Sequence, residues 1–297
     1  MTAVIEIDRL HKRYGDVIAV DDVTFSVDQG ESFGYLGPNG AGKTTTIRCL
    51  LGLITPTSGS VRVFGLDVRT HLHDILTRAG YLPGEFGLWP SMSGDAVLDY
   101  LSELHPAPAR ARASLCERFE LSASELAREV RFYSRGMRQK IGIIQAFQHE
   151  PELVILDEPT EGLDPVMQDR FITLLAEHTS RGGTVLLSSH ILSAVERATD
   201  RVGVVKEGRL IRTGSPRALT GDGVRRCDVL FRRPASREEI AIAGMDGITG
   251  GGDAWRFSFR GDMQALLERL TGIGVVEFSS EPERLADAFN EIYRDEG

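Results

Sequence analysis

The eight residues GPNGAGKT, Gly37 to Thr44, restrict the fold of this chain more than any other stretch. They fit the pattern G-x-x-x-x-G-K-[ST]. Before them, Ser32-Phe33-Gly34-Tyr35-Leu36 is short, mostly apolar or aromatic, and reads as a strand. After them, Thr45 to Leu51 reads as a helix start. Strand, glycine loop and helix form the context in which this pattern wraps phosphates. Gly37, Gly40 and Gly42 carry no Cβ, so backbone N–H groups can turn inward around phosphate oxygens. The helix start adds unpaired N–H donors and the positive end of a dipole. Lys43 brings a mobile charge to the outer phosphates, and Thr44 offers a hydroxyl to Mg²⁺. The bland alternative is a glycine-rich turn that matches by accident.

Length and composition set the frame around that loop. The 297 residues are 41% hydrophobic and 26% charged, which suits one large or two unequal domains of roughly 100–200 residues each. No apolar run approaches the ~20 residues needed to cross a bilayer. Met1 to Leu10 carries Glu6 and Asp8 and alternates like a strand, unlike a signal peptide. A soluble, intracellular chain is therefore expected. Cys49, Cys116 and Cys227 are widely spaced and form no metal motif, so buried free thiols are expected. A net charge of −9 argues against a general nucleic-acid binder, and no nucleic-acid partner is expected.

Further stretches carry chemistry. Leu153 to Leu156 followed by Asp157 and Glu158 describes a buried parallel strand ending in two carboxylates. In a phosphate-loop chain, Asp157 is the expected Mg²⁺ partner and Glu158 is placed to orient or deprotonate a water. Thr184 to Ser188 is a second buried strand, with His190 at its end as a phosphate-sensing group; a structural histidine is the plain alternative. YSRGMRQKIGIIQAF reads as a helix capped at Ser134 to Gly136 and running through Gln148. A capped core helix explains it, and so does an anion site at a helix start. Tyr14 precedes a turn at Gly15, either as a surface residue or stacked on a purine.

The rest of the chain supplies the surroundings. Val4 to Ile7 and Val23 to Val27 read as a hairpin-like start. Pro90 to Arg131 reads as an all-helical insertion. Glu161 to Pro165 is a turn before a helix, and Val202 to Lys206 with Arg209 to Thr213 forms a hairpin. Beyond about Gly221 the phosphate-site signals stop. Strands at Cys227 to Phe231, Trp255 to Phe259 and Val275 to Phe278 alternate with helices at Ser236 to Ile242, Met263 to Leu270 and Pro282 to Tyr293. Gly250 to Gly252 reads as a flexible turn.

With these residues laid out, residues 1 to about 220 resemble the nucleotide-binding subunit of an ATP-binding cassette (ABC) transporter. GPNGAGKT resembles its Walker A loop. YSRGM, Tyr133 to Met137, resembles its signature motif, with Arg135 where glycine is commonest and Met137 where glutamine is. LVILDEP resembles Walker B with the adjacent glutamate, EGLDP the D-loop, and His190 the switch histidine. Tyr14 falls where the family stacks a ring on adenine. The resemblance implies an α/β P-loop NTPase with a RecA-like core, an antiparallel β subdomain and a helical subdomain at about 90–150. A small C-terminal α/β domain, 221–297, follows.

The implied ligands are ATP and Mg²⁺. The loop from Gly37 through Pro38, Asn39, Gly40, Ala41, Gly42, Lys43 and Thr44 to Thr45 would bind nucleotide, with Tyr14 at the base. Thr44 and Asp157 would hold the metal, and Glu158 and His190 would be catalytic. Ser134 and Gly136 of a second cassette, expected in a homodimer, would clamp the γ-phosphate, and Asp164 of the D-loop counts among the nucleotide-binding residues. One departure is plain: the family's usual glutamine after a Tyr-Leu-Pro-like stretch is Gly84 here, followed by Glu85.

The length and the ending RLADAFNEIY resemble ATPase subunits of exporters with separate ABC-2 type membrane permeases. This implies a peripheral place on the cytoplasmic face of the cell membrane. Phe86 to Met92 is the expected permease-docking surface; a core-facing loop explains it equally well. An importer ATPase and a soluble ABC ATPase are the rival readings.

Overall fold

The computed structural model describes residues 2–220, 223–282, 285 and 289. The chain divides into two compact units, Met1–Ser215 and Pro216–Gly297.

The first unit opens with a long hairpin, β1 (Ala3–Tyr14) and β2 (Val17–Asp28), paired antiparallel down to Tyr14 opposite Val17. The expected short strands are thus the inner ends of twelve-residue strands. The halves nearer the turn carry register shifts between Ile7 and Arg13 and positive φ at Arg9 and Asp22, which break the alternation and hid the strand pattern. There follow β3 (Ser32–Leu36), α1 (Lys43–Leu50), β4 (Ser58–Val63), β5 (Leu66–Asp67), α2 (Leu72–Leu76) and β6 (Ala79–Leu82). A helical stretch comes next: α3 (Gly94–Glu103), α4 (Arg112–Arg118), α5 (Ala123–Leu126) and α6 (Arg135–Phe147). The unit closes with β7 (Leu153–Asp157), α7 (Pro165–Ser180), β8 (Thr184–Ser189), α8 (Leu192–Ala198), β9 (Arg201–Lys206) and β10 (Arg209–Gly214).

Two sheets result. One is antiparallel, in the order β2-β1-β4-β5. The other runs β10-β9-β3-β8-β7-β6, parallel except for the edge strand β10. They share one core. Phe25 of the hairpin stacks on Phe33 and Tyr35 of β3, with centroids 5.1 and 5.2 Å apart. Ile47 and Leu50 of α1 are fully buried in the same cluster. Strands β3, β7 and β8 are buried on both faces, in keeping with their largely apolar sequences.

The helical stretch is knitted by directional bonds. Arg112 donates to the Leu98 carbonyl at 2.7 Å and to Gln148 at 3.1 Å, and pairs with Asp99. The Tyr133 hydroxyl donates to the Glu125 carbonyl at 2.7 Å.

The second unit contains α9 (Pro216–Thr220), β11 (Arg225–Phe231), α10 (Arg237–Ile240), β12 (Met245–Gly251), β13 (Ala254–Phe259), α11 (Met263–Ile273) and β14 (Val275–Pro282). Its antiparallel sheet has the order β12-β13-β11-β14, the split β-α-β arrangement. Cys227, Val229, Phe231, Phe257 and Phe259 pack against Ile240, Leu266 and Leu270. Strand β12 was not foreseen, because its glycines read as a turn. Gly250 lies opposite Trp255 and Gly251 opposite Ala254, so the turn falls at Gly252 and Asp253. At Gly250 φ is +116°, and a Cβ would stand 2.4 Å from the Ala254 carbonyl oxygen, so glycine is required within the strand itself. Of the helix expected at Pro282 to Tyr293, Pro282 closes β14 instead, Leu285 and Phe289 are helical, and the other residues lie outside those described.

Candidate functional site

Strand register brings the site together. In the parallel sheet, Leu36 of β3 lies opposite Ser189 of β8, and Asp157 of β7 lies opposite Ser188. The glycine loop, the two carboxylates and His190 all leave the carboxyl ends of neighbouring strands, where open α/β sheets form their ligand crevices.

The loop is built for a backbone cradle. Gly40 and Gly42 have φ of +83° and +100°. A Cβ at Gly42 would stand 2.4 Å from the Ala19 carbonyl oxygen, and one at Gly37 2.5 Å from that of Val205. Gly42 caps α1 without a side-chain acceptor, so the first N–H groups of the helix have no capping side chain. Behind it the Thr46 hydroxyl donates to the Gly42 carbonyl at 3.1 Å, anchoring the turn. Lys43 is 5% exposed and its ammonium donates to the carbonyls of Gly37 (2.6 Å) and Pro38 (3.2 Å). The charge is thereby folded back into the concavity of the loop.

Two chains of contacts meet beside it. In the first, the Thr44 hydroxyl donates to Asp157 Oδ2 at 2.8 Å, and the Ser188 hydroxyl donates to Asp157 Oδ1. Asp157 is 1% exposed. A hydroxyl and a carboxylate so joined are a hard-oxygen pair of the kind that suits Mg²⁺. In the second, Lys43 Nζ lies 3.4 Å from Glu158 Oε1, and His190 Nδ1 lies 2.8 Å from Glu158 Oε2. The His190 amide also donates to Oε2, at 3.3 Å. Glu158 has a φ of +50°, a left-handed conformation that non-glycine residues seldom adopt outside functional sites. Its own amide donates to the Ser188 carbonyl at 3.1 Å, which holds that turn. Burial and the nearby Asp157 carboxylate push the Tyr81 phenol up to about 12, so it stays neutral behind the site.

The other expected residues lie elsewhere on the unit. Ser134 caps α6, accepting from the Met137 amide at 3.2 Å. A Cβ at Gly136 would stand 2.7 Å from the Gly162 carbonyl oxygen, so the start of α6 abuts the turn Glu161–Asp164. Asp164 caps α7, accepting from the Met167 amide at 3.0 Å, with Pro165 at the first helical position. Tyr14 is half exposed, with Lys12 Nζ 4.9 Å above its ring. Glu85 is exposed, while a Cβ at Gly84 would stand 3.3 Å from Asp157 Oδ2.

Two participants were missed from the sequence. Ser188 holds Asp157 across the sheet. Gln139, buried in α6, donates to the Pro159 carbonyl at 2.8 Å just after Glu158. A pair of serines closing an apolar strand, and a glutamine on a buried helix face, were the only signals.

A parallel sheet with a glycine loop, a buried lysine and two strand-end carboxylates defines a P-loop nucleotide-binding ATPase. The comparisons with known proteins are narrower. Residues 20–161 match the family described as "ABC transporter". The Nod factor export ATP-binding protein I of Burkholderia orbicola (strain AU 1054) is 35% identical, covering 97% of this chain and 96% of that one. The bacitracin transport ATP-binding protein BcrA of Bacillus licheniformis is 40% identical over 71% of this chain and 69% of its own length. The structure of an ATP-binding subunit of an ABC transporter superposes with a TM-score of 0.68 at 30% identity, covering 73% of this chain and 91% of that one. The chain belongs to the ABC transporter family, as an ATP-binding and ATP-hydrolysing subunit. Such subunits dimerise and work with membrane-spanning permeases. Among the described residues no helix is long and apolar enough to cross a membrane.

Proposed function

We propose that two copies of this chain close head to tail over two ATP molecules and so drive an ABC-2 type permease that exports its cargo. In each site the loop Gly37–Thr44 wraps the phosphates and Lys43 meets the β- and γ-oxygens. Thr44 and Asp157 hold Mg²⁺, which supplies charge neutralisation at the phosphate oxygens. Glu158 polarises the attacking water as general base, taking its proton, and holds His190, which contacts the γ-phosphate. Ser134 and Gly136 of the second copy bring a hydroxyl and a helix N-terminus to the same γ-phosphate. Tyr14 stacks on the adenine, and Asp164 lies at the junction of the copies.

One observation carries this reading: Lys43 touches Glu158, and Glu158 touches His190, at the mouth of the glycine loop. Nucleotide charge, water and a histidine are thus served by adjoining groups. The full-length similarity to an export ATP-binding protein supports export over import. A dimeric bacterial ABC transporter cassette shares the fold, with a TM-score of 0.65 at 21% identity. The permease would meet the segment Phe86 to Met92 from the cytoplasmic side of the membrane. There Trp89 is 44% exposed and stands edge-on to Tyr100, 43% exposed, with centroids 5.0 Å apart.

The test is Glu158→Gln. A positioned general base is worth about 10²–10⁴-fold in rate, so this variant should bind ATP, form dimers with it, and lose nearly all turnover. Near-normal hydrolysis would remove Glu158 from the role. Lys43→Ala should weaken ATP binding; unchanged affinity would contradict the loop assignment.

A further inference from the structure

Arg135 is the first residue of α6, and its side chain crosses to the turn that precedes α7. Its guanidinium pairs with Glu161. Its stem covers Gly162: a Cβ on that glycine would stand 3.0 Å from Arg135 Cγ and 3.3 Å from Cδ. Together with the close approach of Gly136 to the Gly162 carbonyl, this makes the start of α6 and the turn one surface. The pair sits at its exposed edge, with side-chain exposures of 69% and 37%. Exposed pairs of this kind add little to folding. A guanidinium carries five N–H donors in a planar fork, more than the one contacted carboxylate oxygen can use.

We propose that Arg135 is a γ-phosphate-binding residue that Glu161 holds in check. The proposal rests on the two-copy reading above. In a single copy the guanidinium pairs with Glu161. When the triphosphate on the second copy comes against Ser134 and Gly136, the fork turns from Glu161 to a γ-phosphate oxygen. The exchange is favoured because the phosphate carries more negative charge than one carboxylate, and because a closing interface excludes water. Glu161 therefore competes with ATP for the arginine and sets how much ATP is needed for closure.

The experiment measures ATP-dependent dimerisation of the Glu158→Gln protein by analytical ultracentrifugation at fixed protein concentration. Arg135→Ala, Glu161→Gln and the double variant are compared in that background. Arg135→Ala should raise the midpoint ATP concentration about tenfold or more, the size of one charge-assisted hydrogen bond. Glu161→Gln should lower it several-fold, roughly as expected for freeing one competing charge. Once Arg135 is alanine, Glu161→Gln should change nothing, and Arg135→Lys should fall between alanine and the parent. If Glu161→Gln shifts the midpoint equally with and without Arg135, the acid acts only through the general field and the proposal is overturned. An Arg135→Ala midpoint equal to the parent's overturns it as well. If the Glu158→Gln parent binds ATP yet stays single, the two-copy reading itself fails, and the proposal with it.

Discussion

Ser188→Ala isolates one bond in the site. Asp157 has two hydroxyl donors, Thr44 on Oδ2 and Ser188 on Oδ1, and almost no exposure. Ser188 is itself fully buried, and its carbonyl receives the Glu158 amide at 3.1 Å, so the strand end is held independently of its side chain. Alanine keeps that backbone and removes the donor. The hole left is about one oxygen in size, at or below the ~10–15 Å³ a water requires. Oδ1 is then a buried charged acceptor without a partner. Hydrogen bonds to charged groups contribute about 1.5–3 kcal/mol, and the loss should be of that size. Ser188→Cys, with similar volume and a weak donor, should recover only part. The assay is urea unfolding in Mg²⁺-free buffer. The two tryptophans fall in different units, Trp89 in the first and Trp255 in the second, so a Trp255→Phe background reports the first unit alone. With a urea slope of about 1–3 kcal/mol/M, the midpoint should fall by about 1 M. The Mg²⁺ concentration for half-maximal ATP hydrolysis should also rise, because a freed carboxylate spends less time facing Thr44. A midpoint within about 0.2 M of the parent, which is inside ordinary surface-mutation scatter, together with an unchanged Mg²⁺ requirement, would refute the reasoning.

Three other outcomes are expected. Gly42→Ala must place a side chain at φ +100° and 2.4 Å from a carbonyl oxygen, a strain of about 1–3 kcal/mol before any loop shift; ATP titration should show lost affinity, and retained affinity counts against the backbone cradle. Burial holds the pKa of His178, packed edge-on against Phe147, below the usual histidine range. Its folded form resists protonation, so stability is full above about pH 6.5 and falls as pH drops below it, where the unfolded chain takes up the proton first. His178→Gln should flatten that acid-side slope in urea midpoints, and an identical slope would exclude His178 as its source. Trp89→Asp should abolish co-purification with the permease while leaving ATP binding intact; a surviving complex would move docking elsewhere.

What the sequence disclosed, and what it hid, follows from the range of each interaction. Gly37 to Thr44 is legible because loop and helix start are contiguous, so one stretch carries the whole device. Asp157 and Glu158 are legible because an apolar run ending in acids already implies a strand edge. The Ser188–Asp157 bond is not, because it depends on the register of two strands separated by a sixteen-residue helix. Asp164 was expected at nucleotide, and its Asp-Pro pairing also spelled a helix cap, the use made of it within this subunit. Strand β12 escaped because Gly247, Gly250 and Gly251 suppress any strand pattern.

At Gly84 the chain departs from the family pattern beside the candidate metal carboxylate. The family resemblance calls for a carboxamide here, and a Cβ at this position would stand 3.3 Å from Asp157 Oδ2. With glycine, no side chain reaches the carboxylate from that loop. The carboxylate is held by Thr44 and by Ser188, the latter on a strand hydrogen-bonded on both sides and therefore stiffer than a loop. The helical stretch still touches the site, through α6. Gln139 grips the Pro159 carbonyl, and Gly136 abuts the carbonyl of Gly162. A displacement of α6 must therefore pull on the backbone directly after Glu158, whatever residue occupies position 84.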